Sequence, residues 1–451
     1  NALPWLSLLL LVSCGGGGGG SSSPAQARAP VPEPPVTPPA SEGSASGCSE
    51  VVSTGPFARV YPGDEWQEAA PGSQGLCIDS VSSAMDYAFA AGNDTGAVLI
   101  IKNGYLVAER YSPTRNRNSL VTSWSVAKSI TSALVGAAFD DNYLTSVDQS
   151  MAEFIPAWAN TDKASITIDH LLTVRTALRL IQDDNNDGIP DGSDFYLGAN
   201  QLALSIDRVL DGTPGDQLYT YSNSDVMLAG EVVHVATQMQ ADEYLHERIG
   251  ETIGFDGEWW TDAADNVLTY CCLDATARDF ARFGWLFASE GNWNGQQLLS
   301  ETWINQSTSP ALSGTYGYYW WPFGAGAYAA LGVQGQMIVI YPELDLVILR
   351  FGNYTRTGDG STVRADGNFH TTTEPMNFDL GVFVTEVLED LGIEDSPLQN
   401  PANNMPMADA GRDQSVMLFS TVTLFGGNSA DSDNDSLLFD WQVTARPTDG
   451  H

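Results

Sequence analysis

Apolar positions set the first boundaries along this chain. Residues 97–101, all apolar, and 105–110, apolar up to Ala108, lie on either side of Asn103-Gly104, a two-residue hairpin signal. From Val126 onward, Val126, Ile130, Ala133, Leu134, Ala137 and Ala138 recur at three- and four-residue spacing, which predicts a buried helix. A second helix is expected over 166–172. Residues 331–336, 337–341 and 344–351 read as antiparallel strands, apolar and β-branched, with a turn at Pro342-Glu343. Residues 380–391 read as a closing helix. The aromatic run 318–321 reads as core strand, with an acyl-pocket lining as the alternative.

Outside these stretches the pattern breaks down. Residues 6–12 form an apolar run too short to span a bilayer, followed by Leu11-Val12-Ser13-Cys14. Residues 15–46 are almost entirely Gly, Ser, Pro and Ala, which bury no core and suit a flexible tether. From Pro406 the chain turns to short alternating segments split by Asp, Ser and Asn, as in a β-sandwich; 406–451 is about half of the ~100 residues such a sandwich needs. The expected organisation is 1–14 signal, 15–46 linker, 47–395 catalytic domain, 396–405 linker and 406–451 partial sandwich. The chain reads as cut at both ends.

Composition narrows the function. The 451 residues carry 19 Lys+Arg against 56 Asp+Glu, a formal charge of -37, which argues against nucleic-acid binding. Four cysteines beyond Cys14 allow two disulfides. Cys48 with Cys77 is the favoured pair, since both flank the start of the folded domain. A bond between adjacent Cys271 and Cys272 would be strained, and two buried thiols are at least as expected. The run from Asp183 to Asp194 places oxygen side chains at calcium-loop positions: Asp183, Asn185, Asp187, Asp191 and Asp194, with the Ile189 carbonyl and Gly188 at the turn. A structural Ca²⁺ is therefore expected there, and no cofactor for catalysis. His170, with no serine or carboxylate motif beside it, reads as a packed structural histidine.

The chemistry centres on Ser123-Trp124-Ser125-Val126-Ala127-Lys128. Ser125 and Lys128 lie one helical turn apart, so the amine can reach the hydroxyl. A buried lysine with a lowered pKa can take the serine proton, and the helix N-terminus favours a nearby oxyanion. Tyr221-Ser222-Asn223 follows about a hundred residues later; Tyr221 can shuttle a proton and Asn223 can hold a substrate carbonyl. In the strand 332–336, small residues such as Gly335 let backbone approach the substrate. There the N–H of Gln336 would join that of Ser125 in an oxyanion hole.

Ser-x-x-Lys, Tyr-x-Asn and a Gly-containing strand, together with residues 275–284 (Ala-Thr-Ala-Arg-Asp-Phe-Ala-Arg-Phe-Gly), resemble the serine β-lactamase/DD-peptidase superfamily. The resemblance covers about 80–395 and is closest to class C β-lactamases and their esterase and 6-aminohexanoate-dimer hydrolase relatives. It implies an α/β (α+β) fold: an antiparallel sheet flanked by helices, an all-helical subdomain and a cleft between them. It implies acylation of Ser125 by a small ester, amide or peptide substrate. Two departures stand out. The family's Lys-Thr-Gly is replaced by Val333-Gln334-Gly335, without a cation, which favours esters or amides over β-lactams. Tyr221 also lies one residue further from Pro214-Gly215 than the family pattern. Cys14 resembles the lipidated cysteine of a bacterial lipoprotein, and 406–451 resembles the opening of a PKD-type, immunoglobulin-like domain. The expectation is an exported serine hydrolase held on a Gram-negative outer membrane or cell surface by its lipid anchor alone. The alternatives are a peptidoglycan D-amino peptidase, a β-lactamase and a non-catalytic surface-binding lipoprotein.

Overall fold

The computed structural model describes residues 48–50, 52–179, 195, 198–216, 219–311, 316–323, 326–356, 362–364 and 378–391. Cys14, the linker, the acidic loop 183–194 and the C-terminal stretch 406–451 lie outside the described residues.

Strand β1 (Thr95–Lys102) is buried at every position. Its neighbours are β2 (Tyr105–Tyr111) on one side and β11 (Leu346–Gly352) on the other, both antiparallel. Numbered in chain order, the remaining strands are β3 (Leu120–Thr122), β4 (Gly257–Trp259), β5 (Leu273–Thr276), β6 (Asn292–Trp293), β7 (Gln296–Gln297), β8 (Trp321–Pro322), β9 (Tyr328–Gly332), β10 (Gln336–Tyr341), β12 (Tyr354–Arg356) and β13 (Thr362–Arg364). The main sheet runs β2-β1-β11-β10-β9-β8, and a small sheet runs β3-β5-β4.

The two-residue period of β1 explains its continuous burial, because each face meets a different layer. Val98 and Ile100 join Val339, Ile348, Val81, Met85, Phe383 and Val384 in one cluster, beneath the helices Ile78–Ala88 and Leu380–Leu388. Ala97, Leu99 and Ile101 join the larger cluster on the other face, with Ile338, Val347 and Phe280. Each of the buried Val, Leu, Ile, Met and Phe side chains contributes about 1.5–3 kcal/mol. On that second face the helix Ala277–Ala288 comes close enough that a Cβ at Gly284 would lie 2.7 Å from Val347 Cγ1, so glycine is required there.

The expected layout, an antiparallel sheet flanked by helices, is what the chain forms. The helices Val126–Asp140, Ile168–Leu172, Gln201–Asp207 and Asn223–Thr237 pack on one another beside the sheet. Two expectations change. The helix read over 166–172 spans Ile168–Leu172, because Thr167 caps it: its Oγ1 accepts from His170 N (3.3 Å) while its own N–H donates to His170 Nδ1 (3.2 Å). His170 is thus occupied in a capping box. The aromatic run is not a strand through most of its length. Only Trp321 enters β8, and Tyr319 has φ 63°, a left-handed turn that breaks the ladder.

Cys48 is bonded to Cys77. Cys271 is bonded to Cys272, where two free thiols were at least as expected, and Cys272 has φ 71°.

Candidate active site

Ser125 sits between β3 and the Val126–Asp140 helix, of which it is the N-cap. The turn into it is sharp. Trp124 has φ 45°, a region that non-glycine residues enter only when the surroundings hold them there. The holding contacts are visible. Ser123 N donates to Leu273 O (2.9 Å), Ser123 Oγ accepts from Leu273 N (3.0 Å), and Trp124 Nε1 donates to Gln334 Oε1 (3.1 Å). The nucleophile candidate is therefore pinned by both sheets at the start of a helix, where the macrodipole is positive.

Lys128 is 1% exposed, and its Nζ lies 2.8 Å from Ser125 Oγ. The amine also donates to Tyr270 O at 2.9 Å. Its other neighbours are aromatic faces: Nζ lies 4.9 Å from the Tyr221 ring centre and 5.6 Å from that of Tyr270. Burial pulls its pKa well below the ordinary lysine value of 10.5. Low dielectric disfavours the ammonium, and the amine that remains is the form that can accept a proton.

Tyr221 precedes the Asn223–Thr237 helix, whose N-cap is Ser222 and whose first residue is Asn223. The Tyr221 ring stacks on Trp321 (6.4 Å, 25°) and meets Tyr316 edge-on (6.1 Å). Tyr219, Tyr316 and Trp321 also contact one another, so the wall beside Lys128 is aromatic.

The third motif reaches the nucleophile where Gly332 pairs with Gln336 across the hairpin: a Cβ on Gly332 would lie 2.7 Å from Ser123 O, 3.1 Å from Ser125 N and 3.1 Å from Gln336 Cβ. Gly335 instead faces Arg350: its carbonyl accepts from an Arg350 guanidinium nitrogen at 2.9 Å, and a Cβ there would meet that nitrogen at 2.5 Å. The Gln336 side chain is engaged with Gly352, whose N–H donates to Oε1 at 2.7 Å. Ser125, Lys128, Tyr221 and the 332–336 hairpin thus come together, and Asn223 opens the helix behind Tyr221.

Three supports were invisible to motif reading. Arg350 is fully buried, donates to the carbonyls of Gln334 (2.6 Å) and Gly335, and lies over the Phe378 ring. Tyr270 reaches Lys128 through a backbone carbonyl, which leaves no sequence signal. Arg208 and Asp225 form a buried ion pair at 2.5 Å beneath the Tyr221 motif, with Thr176 Oγ1 donating to Asp225 at 3.0 Å. Asp225 lies in the first turn of the Asn223–Thr237 helix, and Arg208, seventeen residues earlier, carries no motif that points to it.

Comparisons with known proteins bear on the fold and the family. A 6-aminohexanoate-dimer hydrolase of Paenarthrobacter ureafaciens is 21% identical over 294 residues, covering 58% of this chain and 73% of that protein. Among solved structures, a proposed 6-aminohexanoate-dimer hydrolase from Bacillus anthracis aligns with a TM-score of 0.56 at 20% identity, covering 75% of this chain and 87% of that one. A proposed beta-lactamase from Bacteroides dorei aligns with a TM-score of 0.53 at 17% identity, covering 69% and 97%. These likenesses establish the β-lactamase/transpeptidase-like fold. The beta-lactamase family model matches residues 85–371, well over half of the chain, and the chain therefore belongs to the beta-lactamase family of serine β-lactamase/transpeptidase-type hydrolases.

Proposed function

We propose that this protein is an exported serine hydrolase that cleaves esters or amides through an acyl-enzyme on Ser125. The observation that carries the reading is the 2.8 Å contact between Ser125 Oγ and a fully buried Lys128 whose pKa burial lowers. Neutral Lys128 takes the Ser125 proton as Oγ attacks the substrate carbonyl. The developing oxyanion is held by the Ser125 N–H and a backbone N–H of the 332–336 hairpin. Gln336 pairs with Gly332, whose Cβ position lies 3.1 Å from both Gln336 Cβ and Ser125 N, which supports the Gln336 N–H as that donor. Tyr221, against the Lys128 amine, relays the proton to the leaving group, and Asn223 contributes to holding the substrate. Water then attacks the acyl-enzyme.

The substrate class follows from what faces the site. Val333 has no charge, and Gln334 is fully buried with its side-chain Oε1 accepting from Trp124 Nε1. The hairpin therefore offers no side-chain cation to a β-lactam carboxylate. The aromatic wall of Tyr219, Tyr316 and Trp321 favours an apolar acyl group. The buried serine–lysine pair also weighs against a binding-only role, which has no use for a desolvated lysine at a serine hydroxyl. The Cys14 motif, the 15–46 tether and the Cys48–Cys77 disulfide support export and lipid anchoring.

A fluorophosphonate probe tests the proposal. Wild type should label and Ser125→Ala should not; labelling that survives the substitution refutes Ser125 as nucleophile. Absence of labelling and of turnover on p-nitrophenyl esters, 6-aminohexanoate dimer, nitrocefin and D-Ala-D-Ala peptide would favour the binding lipoprotein.

A further inference from the structure

The segment 269–273 is fastened to the nucleophile turn and helix along its length. Thr131 Oγ1 donates to Thr269 O (2.7 Å), Lys128 Nζ to Tyr270 O (2.9 Å) and Ser123 N to Leu273 O (2.9 Å), while Leu273 N donates to Ser123 Oγ (3.0 Å). In its middle lies the Cys271–Cys272 disulfide, which closes a small ring around one peptide bond. Both cysteines are buried, at 1% and 7% exposure. Cys272 has φ 71°, a conformation rare outside glycine. The ring's carbonyls are also used: Cys271 O accepts from Trp259 Nε1 (2.8 Å) and Cys272 O from Trp260 N (3.0 Å).

The consequence concerns the orientation of the base. A neutral lysine amine has two N–H bonds and one lone pair, and only the lone pair can receive the Ser125 proton. An acceptor that takes one N–H fixes the rotation of the amine. Tyr270 O is that acceptor, and the residue immediately after it enters the ring. We propose that the Cys271–Cys272 disulfide is a positioning element for Lys128: it holds the Tyr270 carbonyl in place, so that the amine presents its lone pair to Ser125. This rests on the serine–lysine reading above. Opening the ring by a dithiol transfers two electrons and two protons to the sulfurs, giving two thiols, while the reductant becomes a cyclic disulfide. The base would then lose its fixed acceptor without any change in the substrate-binding walls.

The test starts from a Cys48→Ser/Cys77→Ser background, so that one disulfide remains among the described cysteines. In that background the ring is opened by Cys271→Ser/Cys272→Ser and, separately, by Cys271→Ser/Cys272→Gly, where glycine accepts the left-handed backbone without strain. The second variant remains available if the first does not fold. The rate of fluorophosphonate labelling at Ser125 should fall on the order of 10- to 100-fold, as for a misplaced reacting group. Its pH midpoint should move downward, because the ammonium loses an acceptor, and KM on a p-nitrophenyl ester should stay unchanged. A merely structural ring would lower the melting temperature and leave both the labelling rate and the midpoint where they were, and that result overturns the proposal. Labelling that persists in Ser125→Ala would instead remove the serine–lysine reading beneath it.

Discussion

The ion pair between Arg208 and Asp225 offers the sharpest test of how the Tyr221 motif is held. Their side chains are 2% and 1% exposed, in contact at 2.5 Å. Arg208 also donates to Arg179 O (2.9 Å) and Leu178 O (2.6 Å), so it ties two chain segments to the first turn of the Asn223–Thr237 helix. Asp225→Ala strands a guanidinium that cannot deprotonate, and removing one partner of a buried pair costs about 3–5 kcal/mol. The unfolding entropy is about 2.1 cal/mol/K per residue, and the compact unit runs to Leu398 from Cys48. With roughly 350 residues, that gives about 0.7 kcal/mol per kelvin, so Tm should fall by about 4–7 °C. Arg208→Met behaves differently. Burial already pushes the Asp225 carboxyl upward against the pull of Arg208, Thr176 and Ser222, and without Arg208 it can protonate. A carboxyl whose folded pKa lies above its unfolded value destabilises at neutral pH and is relieved as pH falls. Arg208→Met should therefore recover stability relative to wild type as pH falls from neutrality, while Asp225→Ala should not. Arg208→Met/Asp225→Ala, followed by thermal and denaturant unfolding, closes the cycle. A coupling below about 0.5 kcal/mol, or identical pH dependence in the two single variants, would refute the argument.

Other outcomes follow from the same geometry. Lys128→Met should abolish labelling yet raise Tm. With the folded pKa of Lys128 below 10.5, the unfolded state binds more protons between the two values, and wild type gains stability as pH rises through that window. The substitution removes that slope, and a Tm below wild type at pH 7 counts against it. In wild type, activity should be lost as pH falls through the lowered Lys128 pKa. Gly332→Ala brings a Cβ against Ser123 O and Ser125 N, both backbone atoms, and should lower kcat on the order of 10²–10³-fold with far-UV circular dichroism unchanged. Wild-type kcat would contradict the placement of Gly332. Nitrocefin turnover should be weak beside that of short-chain esters, for want of a cation at Val333 or Gln334; comparable rates would dispose of that reading. Calcium should raise Tm by mass action, and Asp187→Ala should abolish the gain. A Tm indifferent to chelation would leave 183–194 an acidic turn.

The sequence alone determined the elements whose signals are local. Apolar periodicity marked β1, β2, β10 and the Val126–Asp140 helix, and the spacing of Ser125 and Lys128 placed a hydroxyl and an amine on one helical face. Those depend on neighbours three or four residues apart, or on alternate residues in a strand, and so can be read along the chain. The Ser-x-x-Lys and Tyr-x-Asn motifs gave the family for the same reason. What only the tertiary structure decided depends on groups far apart in sequence or on the backbone itself. Tyr270 approaches Lys128 through a carbonyl that any residue carries. Arg350 grips the 332–336 hairpin from a neighbouring strand, and Arg208 meets Asp225 only because the intervening chain returns. Whether Gly332 or Gly335 approaches Ser125 turned on the direction of a hairpin with two glycines, which spacing cannot distinguish. The Cys271–Cys272 bond turned on a left-handed φ that the surrounding packing holds. Motif spacing names the reacting atoms, but their orientation is set by non-local hydrogen bonds and burial, which exist only once the chain has folded.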